Sequence, residues 1–194
     1  MKKIFLILLL LAVNSFGQFR FGEAKGLFLA AGVGPRFPIG DGSDDVNIGA
    51  GFDFEFSYTD NEYLPVFIYM KIGYQHNPGQ QGFYKVTDYS SYSSNSIILD
   101  AGIKYFFPPI IKDVVILMPV AMGGFSFGYF ENYHQFKIGI GRDNFVEEVA
   151  KTGFHIGGGF SMFLMDVAGY YNYFEKDQFL SFDLSVRIPI FVKF

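Results

Sequence analysis

The sequence predicts an all-β fold: an eight-stranded antiparallel up-and-down transmembrane β-barrel. Three observations carry this. The end of the chain alternates strictly, with Leu180, Phe182, Leu184, Val186, Ile188, Ile190, Val192 and Phe194 on one face and Ser181, Asp183, Ser185, Arg187, Pro189, Phe191 and Lys193 on the other. A period of 2 kept this long outruns the usual strand of about 5–6 residues and reaches across a bilayer when tilted. Composition is the second observation: half of the 194 residues are hydrophobic and a fifth aromatic, with 26 Phe and 13 Tyr. A soluble domain has little room to bury so many rings, whereas a barrel in lipid needs an apolar outside and aromatic girdles. The third is the spacing of the strand-like segments, whose even-numbered connections are all short.

The segments follow in order. Gly26–Phe37 sets Leu27, Leu29, Ala31 and Val33 against Phe28, Ala30, Gly32 and Gly34. Val46–Tyr58 is the clearest, with Ile48, Ala50, Phe52, Phe54, Phe56 and Tyr58 outward and Asp53 and Glu55 inward among Asn, Gly and Ser. Leu64–Gln75 turns Val66, Ile68, Met70, Ile72 and Tyr74 outward and Phe67, Tyr69, Lys71, Gly73 and Gln75 inward. Ser96–Phe107 sets Ile97, Leu99, Ala101, Ile103 and Tyr105 against Asp100, Gly102 and Lys104. Val114–Tyr129 is less regular, and Pro119 near its middle points to a bulge. Thr152–Leu164, the short aromatic Val167–Phe174 and the terminal strand complete the eight.

The two long connections, Gln75–Asn95 and Phe130–Lys151, fall on one side of the barrel. Thr59–Tyr63, Pro108–Asp113 and the turn near Met165 are short and fall on the other, as outer loops and periplasmic turns do in transmembrane barrels. An even number of strands brings both ends of the barrel to the periplasmic side.

Residues 1–17 read as a cleaved signal peptide, leaving 18–194 as a single barrel domain. Lys2 and Lys3 precede the apolar Ile4–Val13, and Ser15 and Gly17 supply the small residues of a cleavage site. That apolar run is too short for a spanning helix, and no longer one follows. The formal charge of −4 becomes −6 once the two lysines are removed. The absence of cysteine excludes a lipid-anchored N-terminal Cys, disulfides and thiolate metal sites.

The strand pattern and the terminal Phe194 resemble the small Gram-negative outer-membrane β-barrels of the OmpA/OmpX type and, more broadly, the porin-like outer membrane protein beta-barrel family. The resemblance covers the mature chain and implies outer-membrane localisation after export. It implies that Phe194 is the assembly signal read by the barrel-assembly machinery. It further implies contact with outer-membrane lipid and lipopolysaccharide, and monomeric barrels. Lipocalins share the strand number, but they bury their apolar faces, usually carry disulfides and begin with a Gly-x-Trp signature; this chain has neither Cys nor Trp.

Seven inward charges form the candidate site: Asp53, Glu55, Lys71, Asp100, Lys104, Asp183 and Arg187. Charges in a narrow lumen are costly unless paired, so a charged network is expected, with Arg187 at its centre reaching for Asp53, Glu55 or Asp100. Enzymes of this architecture that act on lipid A use, in one case, a His-x-Ser pair. His76, His134 and His155 are followed by Asn-Pro, Gln-Phe and Ile-Gly, so none matches; His76 and His134 read as rim residues and His155 as an inward polar group. No metal-ligand spacing, cofactor motif or nucleic-acid patch occurs. The glycines at 123–124 and 157–159 lack the Lys of a phosphate loop and read as close-packed strand positions. The expected function is therefore non-enzymatic: envelope structure, or surface recognition of an extracellular ligand through the two long loops, the first Tyr/Ser-rich over Thr87–Asn95 and the second mixed in charge. A narrow porin-like channel lined by the interior charges is the alternative, and a lipid A-modifying enzyme a distant third.

Overall fold

The computed structural model describes residues 25–40, 43–60, 64–110 and 117–193. Eight strands follow one another: β1 (Lys25–Ile39), β2 (Gly49–Asp60), β3 (Leu64–Pro78), β4 (Tyr89–Phe106), β5 (Leu117–Phe136), β6 (Phe145–Met162), β7 (Met165–Phe174) and β8 (Gln178–Lys193). One short helix, α1 (Gln81–Val86), lies between β3 and β4. Each strand pairs antiparallel with the next, and β8 pairs with β1, closing the barrel. Both ends of the described chain lie at one rim, the periplasmic one in barrels with short turns on that side.

The side-chain period of 2 sorts the two environments. On β2, Phe52, Phe54 and Phe56 are 47%, 48% and 53% exposed, while Asp53 and Glu55 between them are 8% and 6% exposed. The same alternation holds on β3, where Ile68, Met70 and Ile72 face out and Tyr69 and Lys71 are buried. The wall is thus apolar toward lipid and polar toward the lumen.

Two expectations change. The stretches expected as long loops are largely strand: β3 runs on to Pro78, β4 starts at Tyr89, β5 reaches Phe136 and β6 starts at Phe145. Above the membrane a strand no longer needs an apolar outward face, so its hydropathy signal vanishes although its backbone pairing continues. Pro119 makes no bulge. It sits near the start of β5, its carbonyl accepts from the Phe107 N–H at 2.9 Å, and the β5–β6 register runs unbroken past it. Register shifts occur instead at Leu27/Phe28, Thr59/Asp60 and Tyr89/Ser91.

Apolar layers bracket the lumen. Ile98, Phe130, Phe174 and Phe179 pack together toward the extracellular end. Tyr69, Val120, Met122, Ala168 and Tyr170 form the lower cluster, against which Phe106 packs. Phe106 continues through Phe67, at 4.8 Å between ring centroids, to Phe28, at 5.7 Å, at the periplasmic end. The charges lie below the upper cluster and interleave with the lower one, Lys71 over Tyr170 and Arg187 over Phe106.

Candidate functional site

Among the described residues, the lumen holds four cations in three connected groups, Arg36 and Lys71 being joined through Asp53. Arg36 on β1 donates from Nη1 to Asp183 Oδ1 at 2.6 Å and from Nη2 to Asp53 Oδ2 at 3.0 Å. Lys71 Nζ lies 3.2 Å from Asp100 and 3.9 Å from Asp53, with its ammonium 4.0 Å above the Tyr170 ring. Lys104 donates to both oxygens of Glu55, at 2.6 and 2.8 Å, beside the Tyr69 ring. Arg187 pairs with Asp166 and lies 4.7 Å over Phe106. Glycines make the room: a Cβ on Gly51 would meet Arg36 Nε at 2.7 Å, and one on Gly73 would meet Asp53 Oδ1 at 2.6 Å.

Arg187 is therefore not the centre of the network. The β7–β8 register pairs Asp166 with Ser185, which makes Asp166 the diagonal neighbour of Arg187. One Nη of its guanidinium is bonded there, without crossing to Asp53, Glu55 or Asp100, while its Nε is buried without a partner. The central position belongs to Arg36, which links carboxylates on β2 and β8. Arg36 and Asp166 were missed for different reasons. Arg36 has the inward parity of Gly32 and Gly34, a signal that was available. Asp166 falls in a stretch read as a turn, whereas β7 already begins at Met165. Phe194 and residues 1–17 lie outside the described residues.

A second missed feature spans Asp100, Ser126, His155 and Tyr69, four residues on four strands. Ser126 Oγ donates to Asp100 at 2.6 Å and lies 2.8 Å from His155 Nδ1, while the Tyr69 hydroxyl bonds His155 Nε2. With a neutral imidazole the protons run one way: Tyr69 to Nε2, Nδ1 to Ser126, Ser126 to Asp100. The order is Asp–Ser–His–Tyr. A nucleophilic triad needs the histidine between the acid and the serine, with the serine open to substrate. Here all four side chains are buried. The chain serves to satisfy buried polar groups. Among the described residues, two interior voids of about 20 Å³ have room for single waters, and one nearer the extracellular end is about 40 Å³.

The extracellular end is uneven. β7 ends at Phe174, level with Gly153 of β6, so residues 145–152 of β6 rise above it as the border of a three-stranded sheet with β4 and β5. The sheet's inner face is stiffened by rings: His134 stacks on Phe145 at 4.3 Å, and Tyr89, Tyr92 and Phe136 surround them. The Tyr89 hydroxyl lies 3.0 Å from His134 Nδ1. Acidic groups face this wall. Burial, then the charges of Asp45, Asp177 and Glu147, push the Tyr92 hydroxyl well above its ordinary range. Asp45 itself is raised by burial and by Asp44.

The two borders of the raised sheet differ. On the β4 side, the Tyr84 hydroxyl donates to the Tyr92 carbonyl at 2.8 Å and accepts from the Tyr92 N–H at 3.0 Å; the Gly79 N–H also reaches that carbonyl. On the β6 side, among the described residues, no strand pairs beyond Gly153. Which groups face outward there follows from the ladder. The Pro119 carbonyl points to β4, so alternate β5 residues point to β6, and through the unbroken register residues 145, 147, 149 and 151 bond β5. Val146, Glu148, Ala150 and Thr152 then turn N–H and C=O to the open side.

No protein-family model matches the chain, and no curated protein does. Among solved structures, the chain is similar to Neisserial surface protein A, with 14% identity, a TM-score of 0.54, and coverage of 86% of this chain and 99% of that one. It is also similar to Ail, the attachment invasion locus protein of Yersinia pestis, with 12% identity, a TM-score of 0.50, and coverage of 86% and 99%. The fold is that of the small OmpA/OmpX-like outer-membrane β-barrels. At these identities the likeness extends to architecture, with the eight antiparallel strands in common.

Proposed function

We propose that this protein is a non-enzymatic outer-membrane surface protein that recognises an extended peptide segment of an extracellular partner by adding it as a strand to the open edge of β6. The observation that carries the reading is the contrast between the two borders of the raised sheet, one capped by Tyr84 and the other bare over residues 145–152. A bare edge is a template for strand addition, in which main-chain hydrogen bonds supply affinity and alternate side chains supply selectivity. Glu147 and Glu148 place a carboxylate on each face of that edge, which favours a partner strand carrying basic residues. The rings of Phe145 and His134 give the edge a rigid backing, so little order must be gained on binding. Ail, one of the structural neighbours, is an attachment invasion locus protein; the reading here rests on the edge. The channel alternative finds little support in a lumen filled by paired charges and aromatic rings, with voids of about 20 to 40 Å³.

The test uses a capped peptide of alternating lysine and valine and the refolded barrel in detergent. Binding should fall at least roughly tenfold, the cost of one lost charge-assisted or backbone contact set, for Ala150→Pro, which removes an outward N–H that bonds nothing within the barrel. The same peptide N-methylated at alternate residues should bind as weakly. Equal binding of the methylated and unmethylated peptides would show attraction between charges alone and would sink strand addition.

A further inference from the structure

The lipid-facing wall carries a groove of about 680 Å³. It follows two adjacent rungs of the sheet. One runs Phe54, Ile72, Leu99, Phe127, Thr152, each directly opposite the next; the other runs Phe56, Met70, Ala101, Phe125. Phenylalanines on β2 and β5 form the walls, and Met70, Ile72, Leu99 and Ala101 form an aliphatic floor. Phe125, 82% exposed, stands as the lip.

The groove is inclined. At β2 its rungs cross the middle of Gly49–Asp60, whereas at β6 Gly153 is level with Phe174, the extracellular end of β7. It therefore climbs from mid-depth to the outer rim, and its upper end becomes polar. Above Phe127 and Thr152 the next outward residues are Tyr129 and Ala150, then Glu131 and Glu148, which stand directly opposite each other. The Tyr133 hydroxyl donates to Glu131 at 3.2 Å. Like charges in direct cross-strand register destabilise a sheet unless a cation lies between them. His76, bonded to Asn95 at 2.6 Å on the same outward rung, completes the polar band.

An apolar trough that opens upward onto two facing carboxylates matches an amphiphile with a positive head. We infer that the groove seats one acyl chain of an amine-bearing lipid, its ammonium held between Glu131 and Glu148. The chain lies along the Met70–Leu99 floor with its end toward Phe54 and Phe56. A lipid with an anionic head of the same chain length fits the trough but meets repulsion at its upper end, so the site selects by head. Tyr129, next to the carboxylates, adds an aromatic face on which an ammonium is favourable.

The barrel would be reconstituted in nanodiscs holding equal amounts of dimyristoyl phosphatidylethanolamine and dimyristoyl phosphatidylglycerol, and the lipid retained on release counted by native mass spectrometry. The expected result is one retained ethanolamine lipid in roughly tenfold preference, the ratio that one charge-assisted contact supports. Ala101→Phe, which fills the floor from the lipid side, should abolish retention of either lipid. Glu148→Gln should keep a lipid bound and remove the preference. Ile188→Phe, on the far wall, should change neither. Equal retention of both lipids by the unaltered barrel, retention unaffected by Ala101→Phe, or a dimer in place of a lipid adduct would each overturn the proposal.

Discussion

Arg36 on the first strand and Asp183 on the last are joined by a 2.6 Å hydrogen bond beside the seam that closes the barrel, and the same guanidinium holds Asp53 on the second strand at 3.0 Å. The seam is where an up-and-down barrel must find its own beginning. A planar, permanently charged fork that reaches both sides of it fixes the register more tightly than backbone pairing alone.

Arg36→Ala should accordingly be the most damaging single change in the lumen. It leaves Asp183 without a cation and Asp53 with only Lys71 at 3.9 Å, and loss of one partner of a buried pair costs ~3–5 kcal/mol. Arg187→Ala strands one carboxylate, Asp166, and Lys193→Ala at the rim should cost little. Urea unfolding in detergent followed by far-UV circular dichroism, suited to a chain without Trp, would rank the three. Equal losses for Arg36→Ala and Lys193→Ala would contradict the central role of Arg36.

Gly73→Val should fail in assembly. Its Cβ would lie 2.6 Å from Asp53 Oδ1, and the carboxylate cannot move without losing Arg36. Gly82→Ala in α1 meets nothing within 4 Å and serves as the neutral comparison. The fraction of heat-modifiable barrel on gels reads both.

Tyr69→Phe removes only a hydroxyl, yet it leaves His155 Nε2 buried without a donor. The cost should be ~1–3 kcal/mol, as for a stranded buried polar group, and smaller than that of Arg36→Ala. Ser126→Ala should behave similarly, and the double variant should cost less than the sum, because both act on one imidazole.

Deletion of Phe194 should lower the amount of barrel inserted in outer-membrane fractions while leaving the refolding of purified protein in detergent unchanged. That split separates a signal read during assembly from a contribution to stability. Reduced refolding in detergent would assign the residue to the fold itself.

Much of this architecture is legible because lipid imposes a strict rule on each strand: apolar out, polar in. Phe52, Phe54 and Phe56 against Asp53 and Glu55 can be assigned to faces from sequence alone. The rule stops where the lipid stops, which is why Tyr89–Asn95 and Phe145–Lys151 read as loops although they pair as strands. Partners inside the lumen depend on register, and register depends on turn lengths. Moving the start of β7 from Val167 to Met165 puts Asp166 on the inward face beside Arg187 and redirects that arginine. Ser126 and His155 are diagonal neighbours on adjacent strands, but Tyr69 on β3 reaches His155 only across the lumen of the closed ring.

The low wall at β7 and β8 bears on the size of anything that docks on β6. An added strand would occupy the space into which β7 would have continued, descending toward the turn at Glu175–Asp177. There Lys151 is tied to Asp177 and to the Glu175 carbonyl, blocking further descent. The barrel thus carries a built-in gauge. A visiting segment can pair only between Phe145 and Thr152, it runs on along the line of β7 beyond the rim, and its length is set by where the protein's own seventh strand stops.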